Sequence, residues 1–127
     1  MRRLVAALAV VVLAAGCSSP AKFEVSRDRT TVDPHDAEEV NLQMHKDDTF
    51  DYSWTTTATL HFNIHSHRQV NGQTEAIEWV AKDSKGEAGT FKADLDGGYS
   101  LMWENTSNSR ITLTYHASGV GTVDSRT

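Results

Sequence analysis

This sequence predicts an all-β fold: a single antiparallel β-sandwich of jelly-roll-like form. Three observations carry the prediction. Apolar residues recur at every second position from residue 38 onward, no stretch past residue 36 holds a 3.6-residue stripe, and Gly- and Asn-bearing turns separate the alternating runs. Period-two alternation places one row of side chains on one face of a strand. Short alternating runs rich in β-branched and aromatic residues pair antiparallel into sandwiches.

The runs follow in order. Val40, Leu42 and Met44 share a face, as do Phe50, Tyr52 and Trp54, and then Leu60, Phe62 and Ile64. Ile77, Trp79 and Ala81 come next, followed by Tyr99, Leu101 and Trp103, and by Ile111, Leu113 and Tyr115. The tryptophans at 54, 79 and 103 lie on the apolar sides and are expected in the core. Asn71-Gly72 is a hairpin signal because both residue types tolerate positive φ. Lys85-Gly86 and Asp96-Gly97-Gly98 are expected to punctuate two further strand ends, and Asn105 to Asn108 forms a polar loop. The tail from Gly119 is expected to add a short edge strand or to fray.

The N-terminal segment reads as an address. Arg2 and Arg3 precede an apolar run from Leu4 to Ala15, which is shorter than the ~20 residues a spanning helix needs. A basic start and a short apolar core make a secretory signal. Leu13-Ala14-Ala15-Gly16-Cys17 resembles the lipobox of bacterial lipoproteins. That resemblance implies cleavage after residue 16 and a diacylglyceryl group on Cys17. The expected organisation is a lipoprotein signal peptide over 1–16, a lipidated N-terminus and flexible linker over 17–36, and the sandwich over 37–127. The linker expectation rests on few apolar residues and on both prolines of the chain. Cys17 is the only cysteine, so no intramolecular disulfide forms. The expected location is the bacterial cell envelope, anchored to a membrane, with the domain outside the cytoplasm.

The formal charge is −5, and it becomes −7 from Cys17 on because Arg2 and Arg3 are removed with the signal. An acidic domain repels nucleic acid and anionic head groups, so no nucleic-acid partner is expected.

Gly89, Phe91, Gly98, Tyr99, Trp103, Asn105 and Tyr115 follow a spacing that resembles the C-terminal half of Golgi-dynamics (GOLD) type β-sandwich domains. The resemblance covers roughly residues 38 to 120. It implies a jelly-roll-like sandwich used for protein or lipid interaction, not for catalysis. The cysteine pair of the luminal cargo-adaptor members is absent, so cargo adaptation does not carry over.

Six histidines are present, and three fall in LHFNIHSH, residues 60 to 67. Alternation sets His61, Asn63, His65 and His67 on the face opposite Leu60, Phe62 and Ile64, where they are expected to stay wet. His65 and His67, at i and i+2 and ~6.6 Å apart, have the spacing to close on one metal ion. A third ligand would come from His61, His116, Glu104 or Met102. Glutamate in that role favours zinc, and thioether sulfur favours copper. The alternative is a polar outer face with no metal, and no cofactor is certain.

No Gly-x-Ser-x-Gly elbow and no Gly-rich phosphate loop appear. Glu38-Glu39 and Asp47-Asp48 are adjacent pairs, whose members point to opposite faces of a strand. A non-enzymatic binding module of the envelope is therefore expected. Its alternatives are a zinc- or copper-binding protein and an accessory subunit that docks an envelope protein partner. Asn105-Thr106-Ser107 matches a glycosylation sequon, but a bacterial lipoprotein gives little reason to expect a glycan.

Overall fold

Seven strands are present among the described residues of the computed structural model, which covers residues 19–126. They are β1 (Lys22–Val32), β2 (Ala37–Met44), β3 (Thr49–Val70), β4 (Gln73–Lys92), β5 (Gly97–Glu104), β6 (Ile111–Val120) and β7 (Thr122–Arg126). All pairings are antiparallel, in the order β1-β6-β3-β5-β2-β7, with β4 on β3. The fold is all-β and sandwich-like, and the sheet wraps nearly into a barrel. The lipobox and Cys17 lie outside the described residues.

β3 organises the topology. Its first half pairs with β6, from Phe50 opposite Gly119 to Thr56 opposite Leu113. Its second half pairs with β5, from His61 opposite Glu104 to His65 opposite Ser100. Between them the register with β4 slips from Thr55–Gly86 to Leu60–Ser84, so Thr56 to Thr59 face Lys85 alone. A large bulge of this kind bends a strand from one sheet into the next. The β3–β4 ribbon therefore rises in one leaf, turns over the top and descends in the other. Lys85-Gly86 marks this corner and not a strand end. Asn71 (φ 52°) and Gly72 (φ 80°) make the expected tight turn at the ribbon's tip.

The two leaves meet through one well-defined layer. Lys82, Phe62, Trp103 and Glu38 stand side by side in one leaf, and Glu87, Trp54, Tyr115 and Arg27 in the other. They face each other as pairs: Lys82–Glu87 at 3.9 Å, Phe62–Trp54 at 5.3 Å between centroids, Trp103 stacked on Tyr115 at 4.4 Å, and Glu38–Arg27 at 3.4 Å. Aromatic pairs fill the middle and ion pairs close both rims. Glu38 is buried on the core face of β2, where the Tyr115 hydroxyl donates to it at 2.8 Å. A buried carboxylate persists only with such partners.

One boundary differs from expectation. Residues 22–32, expected within a flexible linker, form β1 and pair with β6 from Lys22 opposite Val120 to Val32 opposite Ile111. Phe23, Val25 and Val32 enter the core. A bulge around Asp28 and Arg29 (φ 56°) breaks the alternation, and this is what hid the strand. The sandwich begins at Lys22, not at residue 37. At the other end β7 supplies the expected short edge strand, on β2.

At Gly119 the backbone of β3 comes close to β6. A Cβ there would meet the Thr49 carbonyl oxygen and come within 2.5 Å of Phe50 Cα. Backbone cannot yield as a side-chain tip does, so Gly119→Ala is expected to cost about 3 kcal/mol. Urea denaturation of both proteins measures this, and an unchanged midpoint would show that the strands separate freely there.

Candidate functional site

The imidazole row lies on the outer face of the leaf formed by β7, β2, β5, the second half of β3 and the first half of β4. Residues opposite one another in the ladders share a face. His61 is flanked by Glu104 and Asp83, Asn63 by Met102 and Ala81, and His65 by Ser100 and Glu78. Glu39 and Asn41 of β2 lie beyond Met102 and Ser100.

The expectation of a wet row holds only in part. His67 is exposed and His61 half-buried, but His65 and Asn63 are buried, at 7% and 2% exposure. The cause lies in the neighbouring strands. His65 is flanked by Ser100 of β5, with Asn41 of β2 beyond it, on one side and by Glu78 of β4 on the other, while Trp79 packs inward on Phe91 and Tyr99. His65 Nδ1–H donates to Asn63 Oδ1 at 2.8 Å, which turns Nε2 toward Glu39 Oε2 at 3.8 Å. The His67 ring stands edge-on to His65, with centroids 5.0 Å apart. Burial lowers the His65 pKa below its ordinary 6.5, against the pull of Glu39, and His67 lowers it further while Glu78 opposes.

The other candidates disperse. His61 Nδ1 bonds to Asp83 at 2.7 Å. His116 is on β6, in the other leaf, with its Nε2 2.8 Å from Glu24. Glu104 sits across from His61, and Met102 across from Asn63. Among the described residues no group of three His, Cys, Asp or Glu is placed to hold a metal ion.

Beside His67 the face dips into a shallow depression of about 230 Å³, lined by Asn41, Gln43, Ser66, Gly98, Ser100 and Asp124 among others. Gln43 Nε2 donates to Asp124 Oδ2 at 2.9 Å, and the Ser100 hydroxyl donates to Asn41 Oδ1. Gly98 forms part of its lining, and a Cβ there would come within 3.3 Å of Gln43 Nε2. Glu39, Glu78, Asp83, Glu104 and Asp124 share this face with the three histidines. Among the described side chains it carries no lysine or arginine: Arg68 and Lys82 take the inward positions of β3 and β4.

Three polar side chains have structural roles that their sequence context does not signal. Glu38 is in the core layer. Arg68 lies over Trp79 (5.1 Å) and Tyr99 (5.7 Å) and grips Asp94 with two N–H groups, which holds the Asp94 carboxyl well below the usual carboxylate range. Asn105 is fully buried. It donates to the carbonyls of Val32 (3.0 Å) and Ser109 (2.7 Å) and accepts from Ser107, so the sequon asparagine plugs a loop.

Comparison of the chain with protein-family models and with curated proteins returns no match. The Golgi-dynamics resemblance rests on its motif residues. Of these, Phe91, Tyr99, Trp103 and Tyr115 are core residues.

His65 makes the fold pH-sensitive. Its pKa is lower folded than unfolded, so below pH 6.5 the unfolded chain takes up a proton that the folded chain refuses. Stability from this source is complete above pH 6.5 and falls as the pH drops toward the folded value. The melting temperature is expected to fall on acidification from pH 7 to 5, and to fall less in His65→Gln. Parallel curves for the two proteins would remove His65 as the cause.

Proposed function

We propose that this protein is a lipid-anchored lipoprotein of the bacterial cell envelope, held by Cys17, that acts as a non-enzymatic binding module. Its binding face is the outer surface around His67, and its partner is an envelope protein segment bearing lysine or arginine. One observation carries the reading. Glu39, Glu78, Asp83, Glu104 and Asp124 share a face with three imidazoles and with no described cationic side chain. Such a face attracts cationic segments and repels polyphosphates, which fits an accessory subunit and excludes nucleic acid. The depression beside it adds amide and hydroxyl groups that fix orientation.

The anchor and the face are tested separately. Cys17→Ser is expected to move the full-length protein from the membrane fraction to the soluble fraction. Retention on the membrane without an acyl group would overturn the anchor. Purification from detergent-solubilised envelopes at low salt is expected to retain a partner. The partner should be lost at high salt, where screening shortens the field, and in the triple variant Glu39→Gln/Glu78→Gln/Asp124→Asn. A protein that purifies alone, or a partner held equally by the triple variant, would defeat the binding reading.

A further inference from the structure

We propose that one end of the sandwich rests on the lipid surface, with Leu95 and the tip of the β3–β4 ribbon in contact with it. This rests on the anchor at Cys17 and goes beyond it, because it replaces a domain swinging on a tether with one that docks in a fixed orientation.

Topology puts four features at one end. β1 starts there at Lys22, opposite the end of β6 at Val120, and the Gly121 N–H donates to the Ala21 carbonyl at 2.9 Å. The β2–β3 connection (residues 45–48) and the β4–β5 connection (93–96) are tied there: Asp47 N–H donates to the Ala93 carbonyl at 2.8 Å, and Ala93 N–H to the Asp48 carbonyl at 2.9 Å. β3 runs back down to this end, and its pairing with β5 stops at His65–Ser100. Beyond that point Ser66 to Val70 pair only with β4, so the ribbon tip projects past the sheet.

The anchor belongs to the same end. Cys17 precedes Lys22 by five residues, which reach at most about 17 Å when extended. A lipid on Cys17 therefore draws this end, and not the opposite one, to the bilayer.

The surface there suits that neighbour. Leu95, 51% exposed, is the one large hydrophobic residue exposed among the described residues. Its backbone is clamped: Leu95 N–H donates to the Tyr99 hydroxyl oxygen at 3.2 Å, and that hydroxyl lies 2.7 Å from the Leu95 carbonyl oxygen. The side chain is thus held out by a fixed loop. The ribbon tip, Gln69 to Thr74, carries no charge. The aspartates of this end are all engaged: Asp47 with Lys92 (3.6 Å), Asp48 with the His45 N–H (2.8 Å), Asp94 with Arg68 (2.5 Å) and Asp96 with the Lys46 N–H (2.7 Å). A protein of net negative charge thereby meets the membrane through an uncharged tip, an apolar side chain and partnered carboxylates. An interfacial apolar contact adds to what an acyl chain supplies.

The test uses full-length lipidated protein in vesicles of phosphatidylcholine and phosphatidylglycerol, with acylation of Cys17 established by mass. Leu95→Cys and Gln73→Cys carry a polarity-sensitive fluorophore, and Thr106→Cys, at the opposite end, is the reference. Blue-shifted emission and quenching by headgroup spin-labelled lipid at 95 and 73, with neither at 106, is the expected result. Two labelled sites keep the test open should one variant fold poorly. Vesicle-bound, acylated protein whose three sites all read as solvent overturns the docking and leaves the anchor standing. Wild-type protein isolated from bacterial membranes whose mass shows no acyl group on Cys17 removes the anchor and the docking together.

Discussion

The structure depends on one strand belonging to two sheets. β3 spans Thr49–Val70, and the slip in its pairing with β4 between Thr55 and Leu60 turns it over the top of the sandwich. Everything else is placed by that bend. β6 and β5 pair with the same edge of β3 on either side of the corner, so the leaves diverge there. β1 then adds to β6 and β2 to β5, and β7 crosses from β6 through Gly121 to close on β2. Covering β3 on its other edge, β4 must make the same turn. The threonines and the alanine at 56–59 suit this corner. The Thr56 hydroxyl bonds to the Ala58 carbonyl, and the Thr57 hydroxyl accepts from Thr112 N–H at 3.1 Å, which replaces ladder bonds lost at the bend.

The bend also decides what the core layer is. Because β3 returns on itself, Trp54 and Phe62 of the same strand face each other across the sandwich. Their cross-strand neighbours follow, so Tyr115 meets Trp103 and Arg27 meets Glu38. Aromatic burial supplies the drive, and the ion pairs fix the register at each rim. A β3 that slipped by one residue would turn Phe62 and Trp54 outward and bring His61 and Thr55 in among the rings, a penalty all along the strand.

Period two made the central strands legible, since five of the six predicted triads from Val40 to Tyr115 lie on the core face. The sixth fails because the β3–β4 bulge leaves Ala81 exposed beside Asn63 while Trp79 packs inward. Asn71-Gly72 marks a tight turn. β1 was hidden for a physical reason. Edge strands need few apolar residues, and the bulge at Asp28–Arg29 shifts the phase of those it has, so KFEVSRDRTTV reads as a charged linker until β6 is beside it. The same limit applies at the site. Alternation correctly put the imidazoles opposite Phe62 and Ile64. Whether that face was wet depended on what lay beside it: β5 and β2 on one flank, and Glu78 of β4 on the other. Those neighbours come from residues far away in sequence, so His65 and His67, two positions apart, end in opposite environments. The buried roles of Glu38, Arg68 and Asn105 were not legible because a polar side chain in a strand or loop looks solvated until its partners arrive from other strands.

Orientation links the two functional readings. In the proposed orientation, with the anchor and Leu95 at the end where β1 begins, the strands would stand roughly along the membrane normal, and the acidic face of β7, β2, β5, β3 and β4 would become a side wall. A side wall neither presses its carboxylates against lipid head groups nor hides them from a neighbour standing in the same membrane. The depression beside His67 lies toward the same end as Leu95, because Gly98 and Gln43 are paired close to where β5 begins and β2 ends. A cationic segment emerging from a neighbouring membrane protein would meet it within a short distance of the bilayer. A long tether would forfeit this arrangement, since it would let the face point anywhere. In the proposed anchoring, the short connection from Cys17 to Lys22 would let a lipid, a strand edge and a charged surface act as one geometry.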